Sequence, residues 1–203
     1  MDAIIFKANV SRACQNLIDA EPDITRFDTI VGDGDCGETL ARGARAVLAF
    51  LDSPGMSDDA VSTLLHITNV IEDNMDGTSG AIYGIFFAAL AAKVRSLPPH
   101  TQFLNTKTWG KVAKCALTSL QLATPARTGD RTLMDALEPF IEGLAAGDTV
   151  DNAVAKARVG VEATKGMKAA FGRAVYVEES AWSVVPDPGA EGVLCILQGF
   201  IGV

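Results

Sequence analysis

Helix-length apolar runs, cut by short breaks rich in proline, glycine and aspartate, recur along the whole chain and leave little room for a sheet. Ile4, Ile5, Ala8, Leu17 and Ile18 sit near helical spacing and predict a helix over residues 2–21, stopped by Pro22. Leu40, Ala44, Val47, Leu48 and Leu51 predict a second helix that ends before Ser53-Pro54-Gly55. Ser57 is placed to cap a third, with Val61, Leu64, Leu65, Val70 and Ile71 on its inner side. Residues 81–90 form the apolar body of a fourth, closed by Pro98-Pro99, and residues 106–123 carry a fifth with Trp109, Val112, Leu117 and Leu120. Leu133, Leu137, Phe140, Ile141 and Leu144 predict a sixth, in which Pro139 implies a kink or an early end. An alanine-rich seventh covers 149–170. An irregular stretch from Phe171 to Gly189 precedes an eighth, Val193 to Ile201. Alanine and leucine dominate over β-branched and aromatic residues, which also favours helix. The expected fold is all-α, an eight-helix antiparallel up-and-down bundle forming a single domain over 1–203, without internal repeat or linker.

One break stands apart. Asp28-Thr29-Ile30-Val31-Gly32-Asp33-Gly34-Asp35-Cys36-Gly37-Glu38-Thr39 packs Asp28, Asp33 and Asp35 among Gly32, Gly34 and Gly37. Three carboxylates so close repel one another unless a cation sits among them, and bare backbone lets a ligand approach. Hard cations such as Mg²⁺ take carboxylate oxygens together with substrate phosphates and water. The stretch therefore reads as a metal loop that holds a phosphorylated ligand through the metal. Gly32, Gly34 and Gly37 also satisfy G-x-G-x-x-G, but the two aspartates inside the motif would push away a pyrophosphate, and no alternating strands and helices follow. An EF-hand counted from Asp33 would need glycine where Glu38 stands and a bidentate glutamate where Ala44 stands. Aspartate at a helix start accounts for one of the three carboxylates and leaves the others unexplained.

A second break, Asp76-Gly77-Thr78-Ser79-Gly80, opens an apolar helix. Its free N–H groups and two hydroxyls at the positive end of the helix dipole make a site for an anion. The alternative is Thr78 or Ser79 as an ordinary N-cap. There is no Walker A sequence and no nucleophile elbow, so phosphate would be handled by metal and backbone. A net charge of -8 argues against nucleic acid as a partner. Cys14, Cys36, Cys115 and Cys195 lack the spacing of a zinc site or a disulfide framework, and reduced thiols in a cytoplasmic setting are expected. No basic-then-apolar leader is seen, and no membrane span is expected. His66, alone on its helix, reads as a satisfied or exposed side chain.

In order along the chain, Asp28 with Gly32-Asp33-Gly34-Asp35-Cys36-Gly37, Gly77-Thr78-Ser79-Gly80 with Tyr83-Gly84, Gly129-Asp130-Arg131-Thr132 with Asp135-Ala136-Leu137, and Gly172-Arg173-Ala174 with Asp187-Pro188-Gly189 together resemble the helical ATP-binding domain of dihydroxyacetone kinases. The resemblance covers nearly the whole chain. It implies an eight-helix barrel with a nucleotide at one end, two Mg²⁺ held by Asp28, Asp33 and Asp35, and ATP or ADP as the ligand. Cys36, Gly37, Glu38 and Thr39, with Gly77, Thr78 and Ser79, would cradle the phosphates and ribose. Thr124 and Leu133 would border the adenine. Arg173, as a charge clamp on the phosphates, and Asp187, Pro188 and Gly189 would close over the nucleotide. Asp76 stands where the resembled family more often has glycine, and a carboxylate there would crowd or repel a phosphate.

The ketone-binding half of such a kinase, with its covalent histidine, is not found in this sequence; His66 and His100 match no such motif. The implied activity is transfer of the ATP γ-phosphoryl group to dihydroxyacetone or glyceraldehyde held on a separate domain or subunit. Alternatives are a relay subunit that retains ADP and is rephosphorylated by a partner, and a non-catalytic Mg-nucleotide module. A homodimer is compatible with the sequence.

Overall fold

A computed structural model describes residues 3–53, 59–98 and 105–201. Its helices are α1 (Ala3–Val31), α2 (Cys36–Leu51), α3 (Ala60–Asn74), α4 (Gly77–Arg95), α5 (Thr106–Ala123), α6 (Met134–Ala146), α7 (Val150–Ala163), the single turn α8 (Glu179–Trp182) and α9 (Pro188–Gln198), with a 3₁₀ turn at Arg173–Tyr176. There is no strand among the described residues. Each long helix packs on the next in sequence, α7 packs on α9, and α9 closes on α1. The eight longer helices thus form a closed up-and-down barrel, as expected.

The helix ends differ from the sequence expectation where burial outweighs local signals. Pro22 does not stop the first helix; it lies inside α1, which runs on to Val31. Leu17, Ile24 and Val31 recur every seven residues and are all buried, so packing beyond the proline carries the helix past its one missing N–H donor. Asp28 therefore sits in the last turn of α1 rather than in a loop, and α2 begins already at Cys36. Pro139 likewise fails to end α6, which continues to Ala146. The carbonyl of Asp135, four residues earlier, loses its helical donor, and Gly160 of α7 comes so close to it that a Cβ there would overlap the oxygen. The seventh helix stops at Ala163, short of 170, and the last begins at Pro188 instead of Val193, with Asp187 as its cap.

Pro54, Gly55, Ser57, Pro99, His100 and the side chain of Ile4 lie outside the described residues. The cap of α3 within them is Asp59, whose side chain accepts the Ser62 N–H at 2.8 Å. His66 is exposed, donates its Nδ1–H to Ser62 O at 2.8 Å, and stacks on Phe50 with ring centroids 5.3 Å apart. By length and a mean hydropathy of 1.3, α4 would be able to cross a membrane, which the sequence reading had not anticipated. In this fold it is a wall of the ring, packed between α3 and α5.

Inside the ring is an apolar cavity of about 480 Å³, reached by Phe6, Leu64, Phe86, Trp109 and Leu144 among others. Alternation of helix direction brings the connections α1–α2, α3–α4, α5–α6 and α7–α9 to one end of the barrel. That end holds Asp28, Asp33, Asp35 and the other residues expected to hold metal or nucleotide.

Candidate functional site

The first connection is four residues, 32–35, between α1 and α2. One carboxylate oxygen from each of Asp28, Asp33 and Asp35 lies within 4.8 Å of the others. Asp28 is buried, and its Oδ2 accepts the N–H of Cys36, the first residue of α2, at 3.0 Å. Gly32 is required beside it: a Cβ would overlap Asp28 Oδ1. Gly34 turns the chain at φ +83°, a conformation glycine adopts at little cost, and so swings Asp33 and Asp35 back toward Asp28. Burial, then the charges of Asp33 and Asp28, push the Asp35 carboxyl up from its ordinary value. That repulsion is the electrostatic deficit a divalent cation removes, and three converging carboxylates suit a hard oxygen-seeking ion. The residues present fit Mg²⁺.

A cation of the protein already leans on this cluster. Arg173 Nε stands 2.9 Å from Asp33 Oδ2 with both side chains substantially exposed. Arg173 rides on a strap, residues 165–184, that packs through Ala169, Ala174 and Trp182 against Val31 at the end of α1. Trp182 Nε1 donates to Ala174 O at 3.0 Å and Gly166 N–H to Trp182 O at 2.8 Å, so the strap is tied to itself.

The second connection is nearly absent: α4 starts at Gly77, with φ +64°, directly after Asp76. Asp76 makes no cap hydrogen bond to the α4 amides. Its carboxylate turns instead to Arg42 of α2, Oδ2 to Nη2 at 2.6 Å, while Arg42 Nε also donates to Asn74 O at 2.7 Å. The feared negative charge at the turn is therefore paired, and the first-turn amides of α4, with exposed Thr78 and half-buried Ser79, remain uncapped by that side chain. Met75 before the turn packs against Gly43 of α2 so closely that a Cβ at 43 would overlap its sulfur.

The third connection, 124–133, is stiffened from within. Arg127 donates to Gln121 O, Thr124 O and Ala126 O, closing the end of α5. Asp135, fully buried at the start of α6, accepts the N–H groups of Gly129 and Thr132 at 2.6 and 2.8 Å. Thr124 is half-buried as the C-cap of α5, and its Oγ1 accepts Ala126 N–H at 3.3 Å. Leu133 reaches both the cavity and the start of α9, where a Cβ on Gly189 would stand 3.5 Å from its Cβ.

The fourth connection ends in Asp187, which caps α9 through Oδ1 to Ala190 N–H at 2.8 Å and donates its own N–H to Thr164 Oγ1 at 2.8 Å. Burial pushes the Asp187 carboxyl up to about 7; the cap bond and Arg131 oppose the rise, and Asp135 and Asp28 add to it. Asp187 also bears electrostatically on Cys36, whose thiol is pushed up mainly by burial. The structure thus brings Asp28, Asp33 and Asp35 together, with Cys36 bonded to Asp28 and Arg173 paired to Asp33, and with Asp187, Gly189 and Leu133 alongside. Gly37, Glu38, Thr39, Gly77, Thr78, Ser79, Thr124 and Pro188 share the same end on separate helix termini, and no hydrogen bond links them to the carboxylates. Gly37 serves packing: a Cβ there would overlap Thr25 and come within 2.6 Å of Glu21 O of α1. The sequence reading attached no separate role to Arg42, Arg131 or Asp135. Of these, only Asp135 left a sequence signal, an aspartate three residues beyond a Gly-Asp-Arg-Thr turn with amides to satisfy.

Residues 30–202 match the DAK2 domain family. The chain is 44% identical to the dihydroxyacetone kinase of Pichia angusta over 96% of its length, and 32% identical to the triokinase/FMN cyclase of Homo sapiens over 96%. It spans about a third of each, 34% in both cases. Its fold superposes on the native dihydroxyacetone kinase of C. freundii with a TM-score of 0.77 at 26% identity, covering 98% of this chain and 34% of that one. The C. freundii enzyme in complex with AMP-PNP and Mg²⁺ is matched with a TM-score of 0.77 at 25% identity, over 98% and 33% of the two chains.

Proposed function

This chain belongs to the DAK2 domain family, and from that membership we propose that it is the nucleotide domain of a dihydroxyacetone kinase, binding ATP with Mg²⁺ and presenting the γ-phosphoryl group to a triose held on another domain. The observation that carries the reading is the convergence of Asp28, Asp33 and Asp35 within 4.8 Å at the end of the barrel where α4 starts without a side-chain cap. The complex of the similar C. freundii enzyme with AMP-PNP and Mg²⁺ supports the choice of ligand.

Asp28, Asp33 and Asp35 would hold the metal, in a pair of ions, and bound metal supplies neutralisation of the β- and γ-phosphate charge. The chain's own groups do the rest. Asp28 is fixed by the Cys36 amide, so one carboxylate is oriented before any ligand arrives. The α4 amides at Thr78 and Ser79 offer donors and the positive dipole end to phosphate oxygens. Arg173, already at the cluster, adds a planar guanidinium suited to phosphate. Leu133 beside Gly189 offers an apolar wall for the base. In the transfer, an acceptor hydroxyl oxygen bonds to the γ-phosphorus as the β–γ bridging bond breaks. ADP leaves with the bridging oxygen, and the hydroxyl proton leaves on the acceptor side. The work of this domain is positioning and charge stabilisation, with no covalent intermediate on the protein.

Thermal unfolding with ATP, in Mg²⁺ and again in EDTA, tests the reading. At a hundred times its dissociation constant, a ligand of the folded state adds about 2.7 kcal/mol. A rise in Tm that EDTA abolishes supports it; no rise in either buffer overturns it.

A further inference from the structure

Arg131 is the least arginine-like arginine of the chain. Its side chain is 1% exposed, and it alone among the described non-glycine residues has a positive φ, +58°. A left-handed backbone with a Cβ is strained and persists only where the surroundings hold it. Here they hold it through the guanidinium. Nη1 donates to the carbonyl of Thr164 and Nη2 to that of Val185 at 3.0 Å. Those two carbonyls are the feet of the strap, one residue before 165 and one after 184. A single side chain from the 124–133 connection therefore clamps both ends of the segment that carries Arg173 to Asp33. The attachments around it point the same way. Thr164 Oγ1 accepts the N–H of Asp187, and Ala170 N–H donates to Asp130 O at 3.2 Å, next to Arg131 in sequence. The buried Asp135 and the Asp187 carboxyl lie near enough to oppose the cost of burying the cation.

We propose that Arg131 is a positioning residue for phosphoryl transfer: by clamping both feet of the strap it sets the reach of Arg173 over the carboxylate cluster, without touching the nucleotide itself. The inference rests on the nucleotide reading above, but its first test does not. Lysine keeps the charge and the stem yet lacks the planar fork that serves two carbonyls at once.

In a Trp109→Phe background, Trp182 is the one remaining tryptophan, and it sits in the strap. Arg131→Lys should raise acrylamide quenching of Trp182 fluorescence while helix content holds. Unchanged quenching overturns the clamp whether or not ATP binds. The second test is a cycle of Arg131→Lys, Arg173→Ala and the double variant, read as the dissociation constant for Mg·ATP. Each single change should weaken binding about tenfold, as loss of hydrogen bonds to a charged group does, and the double should be no weaker than the worse single. Additive losses, or an Arg131→Lys affinity equal to that of the parent, overturn the proposal. Should the Arg131 variants fail to fold, hydrogen exchange on the unmodified chain decides. Mg·ATP should slow exchange at the Gly166 and Ala170 amides, which tie the strap; binding that leaves them unchanged overturns it. Absence of any Mg·ATP binding by the parent chain would sink the nucleotide reading, and the positioning role with it, and leave the quenching result to speak for the clamp alone.

Discussion

Arg173 Nε and Asp33 Oδ2 are 2.9 Å apart, so a cation of the chain already stands on an exposed member of the carboxylate cluster. The pair is solvent-exposed, a setting in which ion pairs contribute only about 0–1 kcal/mol. Its weight lies in what it competes with. Arg173→Ala should tighten the binding of Mn²⁺ or Mg²⁺ alone by a small factor, because Asp33 is released, and should weaken binding of the metal–ATP complex. Titration by Mn²⁺ electron paramagnetic resonance, with and without nucleotide, reads both signs. Equal shifts of the two constants would show that Arg173 does not bear on phosphate.

Asp33→Asn removes one charge from the cluster and leaves no buried group unsatisfied, because Asp33 is exposed. Stability without ligand should stay within about 0.5 kcal/mol of the parent, as for most surface changes. The Mg²⁺-dependent rise of Tm with ATP should shrink or vanish. A variant that keeps the whole rise removes Asp33 from the metal site.

Gly32→Ala places a methyl group on Asp28 Oδ1. The carboxylate has to move off the Cys36 amide, at a cost of about 1–3 kcal/mol for overpacking. Metal affinity should fall along with stability. Loss of stability with unchanged metal affinity would mean that Asp28 can be displaced without harm to the site.

The Asp187 carboxyl titrates near 7 in the folded chain against 3.8 as the ordinary value. Between those values the folded state binds more protons than the unfolded one, so stability without ligand should decline as pH rises through that window and level off above it. Asp35 and Glu191, also raised, act with the same sign. Asp187→Asn keeps a good N-cap and removes one titrating group, so the slope of Tm against pH between about 4 and 7 should become shallower. An unchanged slope would assign the effect to the other two.

Gly160→Ala drives a methyl group into the carbonyl of Asp135. Chemical denaturation should show a loss of about 1–3 kcal/mol, a large effect for a single methyl on a helix where alanine is otherwise favoured. A gain in stability would show that α6 and α7 can separate at Pro139.

The barrel was legible because helical spacing survives at Leu64, Leu117 and Ile141, where inward faces repeat without interruption. The carboxylate cluster was legible because three aspartates among three glycines have few uses apart from a cation. What escaped was decided by distant contacts. Pro22 reads as a stop, yet the buried Ile24 and Val31 beyond it hold the helix together. Asp187 reads as part of a loop, but its carboxylate becomes the cap of α9 once Pro188 takes the first helical position. Arg131 reads as one member of the Gly129-Asp130-Arg131-Thr132 motif, and nothing local announces that two carbonyls, at Thr164 and Val185, will converge on it.

The closure of α9 on α1 makes the order of neighbours around the ring independent of where the polypeptide is cut. Arg12 Nε donates to Gly199 O at 3.0 Å, which leaves the start of α1, nine residues before Arg12, roughly 14 Å further along its axis from the end of α9. A circular permutant bridged across that gap and opened at the Gly147 turn, at the end away from the carboxylates, keeps every wall of the barrel. Its new termini would lie at the end of α6 and the start of α7, and the four connections that bear the aspartates, the strap and its clamp would remain unbroken.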